Sequence, residues 1–183
     1  MWDIFLNLAQ INQNMKTYET ERLILKPTDL EDLDFLVDIL NTPKYYKYIG
    51  DRKVRTLEDA ENYFNQRIFP QYEKLGFGNY TVMLKSDGTK IGFCGVYVRP
   101  NLEVPDIGFA FFEEYEGKGY AFESANFIKN LVKTDFGIKK LGGITVEYNH
   151  SSRKLLEKLG LKFQKKFFME GDPEELMYYE SEF

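Results

Sequence analysis

A chain of 183 residues, 43% hydrophobic and 29% charged, is long enough to bury a core and too apolar to remain a disordered coil. Its net charge of −5 speaks against nucleic acid as a main partner, because phosphates ask for a basic face, and leaves room for an amine ligand. One cysteine (Cys94) forbids an intrachain disulfide, one histidine (His150) leaves no His-based metal site or Ser–His–Asp triad, and no apolar run reaches the ~20 residues of a membrane span.

The opening residues, MWDIFLNLAQ, lack the basic n-region and small-residue cleavage site of a secretory signal. With the lone cysteine, this points to a reducing cytoplasm. Trp2, Phe5, Leu6 and Ala9 would line one face of a helix, so residues 1–14 are read as an N-terminal extension and 15–183 as a single domain. Thr20–Lys26 alternates as a first strand. Thr28-Asp29-Leu30-Glu31 reads as a capping box before a helix through Leu33, Leu36, Val37 and Leu40, ended by Pro43. Thr56–Asp59 is a second box, opening a helix through Ala60, Phe64 and Ile68 that stops near Pro70. From Tyr80 the period becomes two. Tyr80, Val82 and Leu84, the turn Ser86-Asp87-Gly88-Thr89, and Ile91, Phe93 and Tyr97 make a hairpin.

Pro100–Pro105 is a loop and Asp106–Phe112 the next strand. Gly117 and Gly119 then lead into a helix through Ala121, Ala125, Ile128 and Val132 to about Phe136, with Gly137 as its cap. Leu141–Tyr148 is a strand, Ser151–Leu159 a short helix closed by Gly160, and Phe163–Phe168 with Leu176–Tyr179 a closing antiparallel pair. Hairpins followed by a β-α-β unit give an α/β (α+β) fold: a mixed, mostly antiparallel central sheet with helices on both faces. The 16 Phe and 13 Tyr are expected to fill its core.

The glycine turn carries the first chemical signal. A strand that turns through small residues into a helix leaves backbone N–H groups without intrahelical partners, at the positive end of the helix dipole. Such a turn seats an anion, for example a pyrophosphate. Gly117-Lys118-Gly119 lacks the third glycine of a dinucleotide fingerprint, and no G-K-[ST] follows. Taken alone, it reads equally well as a tight turn with no ligand.

Residues 149–163, NHSSRKLLEKLGLKF, supply a second signature. Asn149, Ser152, Leu155, Leu156, Glu157, Lys158, Leu159, Gly160 and Phe163 resemble the closing segment of the GNAT family of N-acetyltransferases. Glu114-x-x-Gly117-x-Gly119 falls where that family has its pyrophosphate loop. Glu19–Leu25 and Asp106-Ile107-Gly108-Phe109 are similar to segments of the branch containing the ribosomal-protein acetyltransferases RimJ and RimL. The resemblance spans roughly residues 17–180. It implies acetyl transfer from acetyl-CoA to a primary amine, either a protein N-terminus or a small amine, by a monomer or homodimer without metal. The competing reading is an acyl-CoA-binding module of the same fold without turnover.

The resemblance also assigns positions. Gly117, Lys118, Gly119, Tyr120 and Ala121 would hold the pyrophosphate. The sheet would splay between the strand ending in Phe111 and Phe112 and the one carrying Val146, so that pantetheine pairs with a free strand edge. Asn149 would bond the pantetheine arm, and Ser152 would cap the short helix or donate toward the thiol. Asp106 is the first candidate base and Glu147 the second. The family's usual tyrosine acid falls near Leu155 and Leu156, which cannot donate a proton, so Tyr148, Ser152 or water would serve. Glu114 stands where the family has Arg or Gln, and with Glu116 it brings negative charge toward the phosphates.

Overall fold

The structure is a computed structural model that describes residues 16–183; the extension expected over 1–14 lies outside the described residues. Eight strands form one sheet: β1 (Tyr18–Glu19), β2 (Leu23–Pro27), β3 (Asn79–Leu84), β4 (Lys90–Tyr97), β5 (Asp106–Phe111), β6 (Lys140–Val146), β7 (Lys162–Phe168) and β8 (Glu175–Glu182), in the order β1-β2-β3-β4-β5-β6-β8-β7. All neighbours run antiparallel except β5 and β6, which are parallel. In β2 the alternation is plain, with Leu23, Leu25 and Pro27 buried. In β4, by contrast, Ile91 to Val96 are buried without a break, as in a strand covered on both faces.

The helices depart from the periodicity at the prolines. Helix α1 (Leu33–Leu40) ends before Pro43, but Pro43 opens a further helix, α2 (Pro43–Tyr48). Thr42 caps it, its hydroxyl accepting from Tyr45 N at 3.3 Å, and proline is well placed at the first helical position because its missing N–H has no partner there anyway. Pro70 does not stop its helix either. Helix α3 (Leu57–Tyr63) widens into a π turn at Phe64–Ile68 and continues as α4 (Phe69–Leu75), with Pro70 in the first turn. The Phe69 amide reaches back to Phe64 O across the wide turn, which accommodates the proline. The first capping box sits one residue later than expected: Asp29 is the cap and Asp32 its partner, ahead of a short 3-10 turn at Leu30–Asp32. The Thr56–Asp59 box forms as read, through bonds of 3.0 and 3.1 Å. Helix α5 (Tyr120–Thr134) ends two residues short of Phe136, and helix α6 (His150–Lys158) starts one residue early. Strand β6 stops at Val146, leaving Tyr148 outside it.

One carboxylate ties the helical layer to the sheet. The fully buried Asp32 accepts from Asp29 N (3.1 Å) and Thr81 Oγ1 (2.9 Å) and pairs with Lys26 Nζ (3.0 Å) and Lys90 Nζ (2.6 Å). Burial alone would push its pKa up, but the bonds from Lys90 and Lys26 outweigh that and hold it below the ordinary value. At the other end, Gly143 of β6 lets α6 settle: a Cβ there would meet Leu156 Cδ2 at 2.5 Å.

Because the folded pKa of Asp32 is depressed, its contribution is present above the unfolded value of 3.8 and is lost as pH falls through the folded pKa. Asp32→Asn is expected to lose about 3 kcal/mol in urea unfolding near pH 7. The gap to the wild type should narrow as the pH is taken toward about 3. A gap that stays constant with pH would contradict this account of the carboxylate.

Candidate functional site

Strands β5 and β6 share a single register pair, Asp106↔Gly142, closed by Gly142 N donating to Pro105 O at 2.8 Å. Beyond it they part. The far edge of β5 stays zipped to β4 from Asp106 to Phe111, and the far edge of β6 to β8 along its whole length. The facing edges are thus left without each other's hydrogen bonds, and a cavity of about 420 Å³ opens at this wedge. One wall is Phe109, Ala110 and Phe111 of β5; others come from the glycine turn, the first turns of α5 and α6, and helix α2.

The glycine turn is built for a particular exit. A short 3-10 turn, Glu113–Tyr115, leads to Gly117 (φ +71) and Gly119 (φ +86), both left-handed, where a side chain would be strained. Gly119 is the N-cap of α5 and offers no side chain to the amides of the first turn. Those amides, at the positive end of a 15-residue helix, are left for an anion. Helix α6 aims its N-terminus at the same cavity. Asn149 caps it, Oδ1 accepting from Ser152 N at 3.2 Å, so the cap is Asn149 rather than Ser152. Among the described residues the Asn149 amide nitrogen and the Ser152 hydroxyl have no partner, and both residues line the cavity.

The acidic residues beside the turn are drawn aside. Lys44 of α2 reaches across to Glu116 (2.6 Å) and Glu113 (3.2 Å), and the Glu116 bond in particular raises the lysine's pKa. Glu114 is exposed. Lys154 and Lys158 of α6 line the cavity, and Lys158 Nζ lies 4.1 Å over the Phe122 ring.

Of the residues expected to hold the cofactor, Phe111, Gly117, Gly119, Tyr120, Ala121, Asn149 and Ser152 line this one cavity. Two do not. Phe112 turns to the other side and packs edge-on against Phe35 of α1, ring centroids 5.9 Å apart. The Lys118 side chain is exposed over the Tyr115 ring, and only its backbone belongs to the turn.

The expected catalytic residues are dispersed. Asp106 is 1% exposed and pairs with Arg99 Nε at 2.6 Å, outside the cavity wall. Burial raises its pKa and Arg99 works against that rise. Glu147 is exposed and held by Lys166 at 2.8 Å, a bond that lowers its pKa. The Tyr148 hydroxyl donates to Glu174 Oε2 at 2.6 Å, which pushes its pKa up to about 12. Its ring lies 5.9 Å from that of Tyr48, a wall residue, so Tyr148 borders the site without lining it. Only Ser152 of the four is in the wall.

The sequence reading missed the α2 wall, Lys44, Tyr45 and Tyr48, with Ile49 as its C-cap. The signal was present as Thr42-Pro43, a cap followed by a proline suited to the first helical position. It also missed Lys154 and Lys158, spaced four apart and so on one face of α6.

The family profile of the acetyltransferase (GNAT) domain matches residues 22–162. An uncharacterised N-acetyltransferase of Bacillus subtilis, YnaD, is 25% identical over 156 residues, 84% of this chain and 88% of that protein. Among solved structures, an acetyltransferase from Agrobacterium tumefaciens superposes with a TM-score of 0.76 at 23% identity, over 91% of this chain and 94% of its own. RimL, an alpha-N-protein acetyltransferase of ribosomal L7/L12 solved with coenzyme A, superposes with a TM-score of 0.77 at 14% identity, over 91% and 98%. The profile takes in the whole wedge from β2 to the start of β7, and on it the chain belongs to the GNAT acetyltransferases.

Proposed function

We propose that this chain transfers acetyl directly from acetyl-CoA to a primary amine, with residues 15–183 acting as one domain in the cytoplasm. The observation that carries the reading is the wedge between β5 and β6, with the unpartnered first turn of α5 at one end. The cavity offers what each part of the cofactor needs. The amides at Gly119–Ala121 suit a pyrophosphate, and Lys154 and Lys158 add positive charge. The free edge and aromatic wall of Phe109–Phe111 suit the extended, partly apolar pantetheine arm. The Asn149 amide nitrogen and Ser152 hydroxyl stand opposite as donors.

On this reading the thioester lies deep in the wedge and the amine enters past α2. There Tyr48 touches Tyr148, which bonds Glu174 in a loop that also carries Glu170 and Asp172, with Glu175 next at the start of β8. That acidic rim attracts an ammonium before it loses its proton. The neutral amine attacks the thioester carbonyl, the oxyanion collapses, and the CoA thiolate leaves as the amine proton passes to water at the mouth. Of the expected set Ser152 alone lines the cavity, which supports it as a hydrogen-bond donor to that thiolate. Orientation of the two reactants supplies much of the rate. Likeness to RimL and to a ribosomal-protein-S5-alanine acetyltransferase of Vibrio fischeri favours a protein N-terminus over a small amine as the acceptor.

Two outcomes are expected. Gly119→Glu strains the left-handed cap and drives its Cβ to 3.2 Å from Arg22 Nη2 behind the turn, disturbing the backbone that would seat the pyrophosphate, so calorimetry should find CoA affinity lowered about 100-fold while circular dichroism still reports the fold. Unchanged affinity would remove the site assignment. Asp106→Asn should lower Tm, because it strips Arg99 of its buried partner, at a cost of about 2 kcal/mol. It should leave the pH dependence of kcat in place, whereas loss of the ascending low-pH limb would restore Asp106 as the base. Turnover itself is read from thiol release with a panel of amines and N-terminal peptides. CoA binding without release for any of them would favour the binding-module reading.

A further inference from the structure

The glycine turn is held from behind by a residue far away in the chain. Arg22, in the bend just before β2, donates from Nη1 to Lys118 O at 3.0 Å and from Nε to Glu123 Oε2 at 2.7 Å. Its guanidinium carbon lies 4.6 Å from the centroid of the Tyr120 ring. Its own backbone N–H bonds Glu123 Oε1 at 2.8 Å, an oxygen that also accepts from Thr20 Oγ1 at 2.6 Å. Nη2 is close enough to Gly119 that a Cβ there would sit 3.2 Å from it. One side chain therefore touches the turn, the first residue of α5 and the acid one turn into the helix.

We propose that Arg22 is the positioning residue of the anion seat: it aims the amides of the glycine turn and cancels the charge of Glu123 beside them. This rests on the reading of the wedge as the acetyl-CoA site. In a trans peptide the carbonyl and the N–H of the same unit point in opposite directions. Fixing Lys118 O on Arg22 therefore turns the Gly119 N–H away from Arg22, on the turn whose Gly117, Gly119 and Tyr120 line the cavity. Glu123 in the first turn of α5 favours the helix dipole but competes with a bound anion for the same positive end. Burial tends to raise its pKa, and the bonds from Thr20 and Arg22 outweigh that, keeping it ionised and paired. The Arg22 side chain is 43% exposed, so as an ion pair alone it adds little to stability. What its planar fork adds is geometry, since one guanidinium bridges a carbonyl and a carboxylate that a lysine ammonium serves less well together.

The test compares the wild type, Arg22→Ala, Arg22→Lys, Glu123→Gln and a surface control, Lys140→Ala, which removes an ion pair remote from the turn. Calorimetry with CoA gives Kd, and steady-state kinetics with acetyl-CoA gives KM and kcat. Arg22→Ala is expected to raise both Kd and KM about tenfold, the worth of one charge-assisted hydrogen bond, with kcat within about twofold and a small fall in Tm. Arg22→Lys should recover part of the loss, Glu123→Gln should weaken binding by letting Arg22 swing free, and Lys140→Ala should match the wild type. If Arg22→Ala or Arg22→Lys stays folded and binds CoA as the wild type does, the positioning role is overturned. So it is if kcat falls while KM holds. A wild type that binds no CoA would instead fail the acetyl-CoA reading itself.

Discussion

The site depends on two parallel strands that meet once and then part. A sheet in which every other neighbour is zipped antiparallel leaves β5 and β6 joined at Asp106 and Gly142 alone. The fork is stiff because each strand is committed on its far side, β5 to β4 and β6 to β8. Asp106 lies at the fork, buried and paired with Arg99. A carboxylate so placed is costly to expose or to strip of its partner, which gives it a structural task at the point where the wedge begins. Two helix N-termini then face the opened space, α5 from behind the glycine turn and α6 from behind Asn149.

The second theme is the handling of charge around a seat for an anion in an acidic protein. The turn is preceded by Glu113, Glu114 and Glu116 and followed by Glu123. Two are drawn off by Lys44 from α2 and one by Arg22 from the bend before β2, while Lys154 and Lys158 reach in from α6. The lysine that stands within the turn, Lys118, contributes its carbonyl rather than its side chain. Local negative charge is thus balanced by cations brought from elsewhere in the chain, and the backbone amides keep the seat.

Much of the fold was legible because periodicity is a local signal. Strands β2 to β8, helix α5 and the Thr56 box follow from alternation, helical spacing and capping residues. The misreadings cluster at prolines. Pro43 ends a helix by one rule and begins one by another, and Thr42 decides between them. Pro70 is accommodated by a π turn that the local pattern does not announce. In the site, the residues carried by the two motifs converge because each motif is a local turn with a fixed geometry. The partners of those turns come from far along the chain, Lys44 with Glu116 across 72 positions and Arg22 with Glu123 across 101. Nothing in spacing or composition pairs them. Asp106 was legible as an acid at a strand end, but its burial against Arg99 is a property of packing.

The measurement closest to the central claim is an amide NMR titration of the isotope-labelled protein with CoA. The account predicts saturable shifts concentrated in residues 109–111, 117–122 and 149–152, with β1, β2 and the β7–β8 pair little changed beyond Arg22 and its neighbours. Shifts centred away from the wedge, or none at saturating CoA, would contradict the assignment of the β5–β6 fork as the cofactor seat.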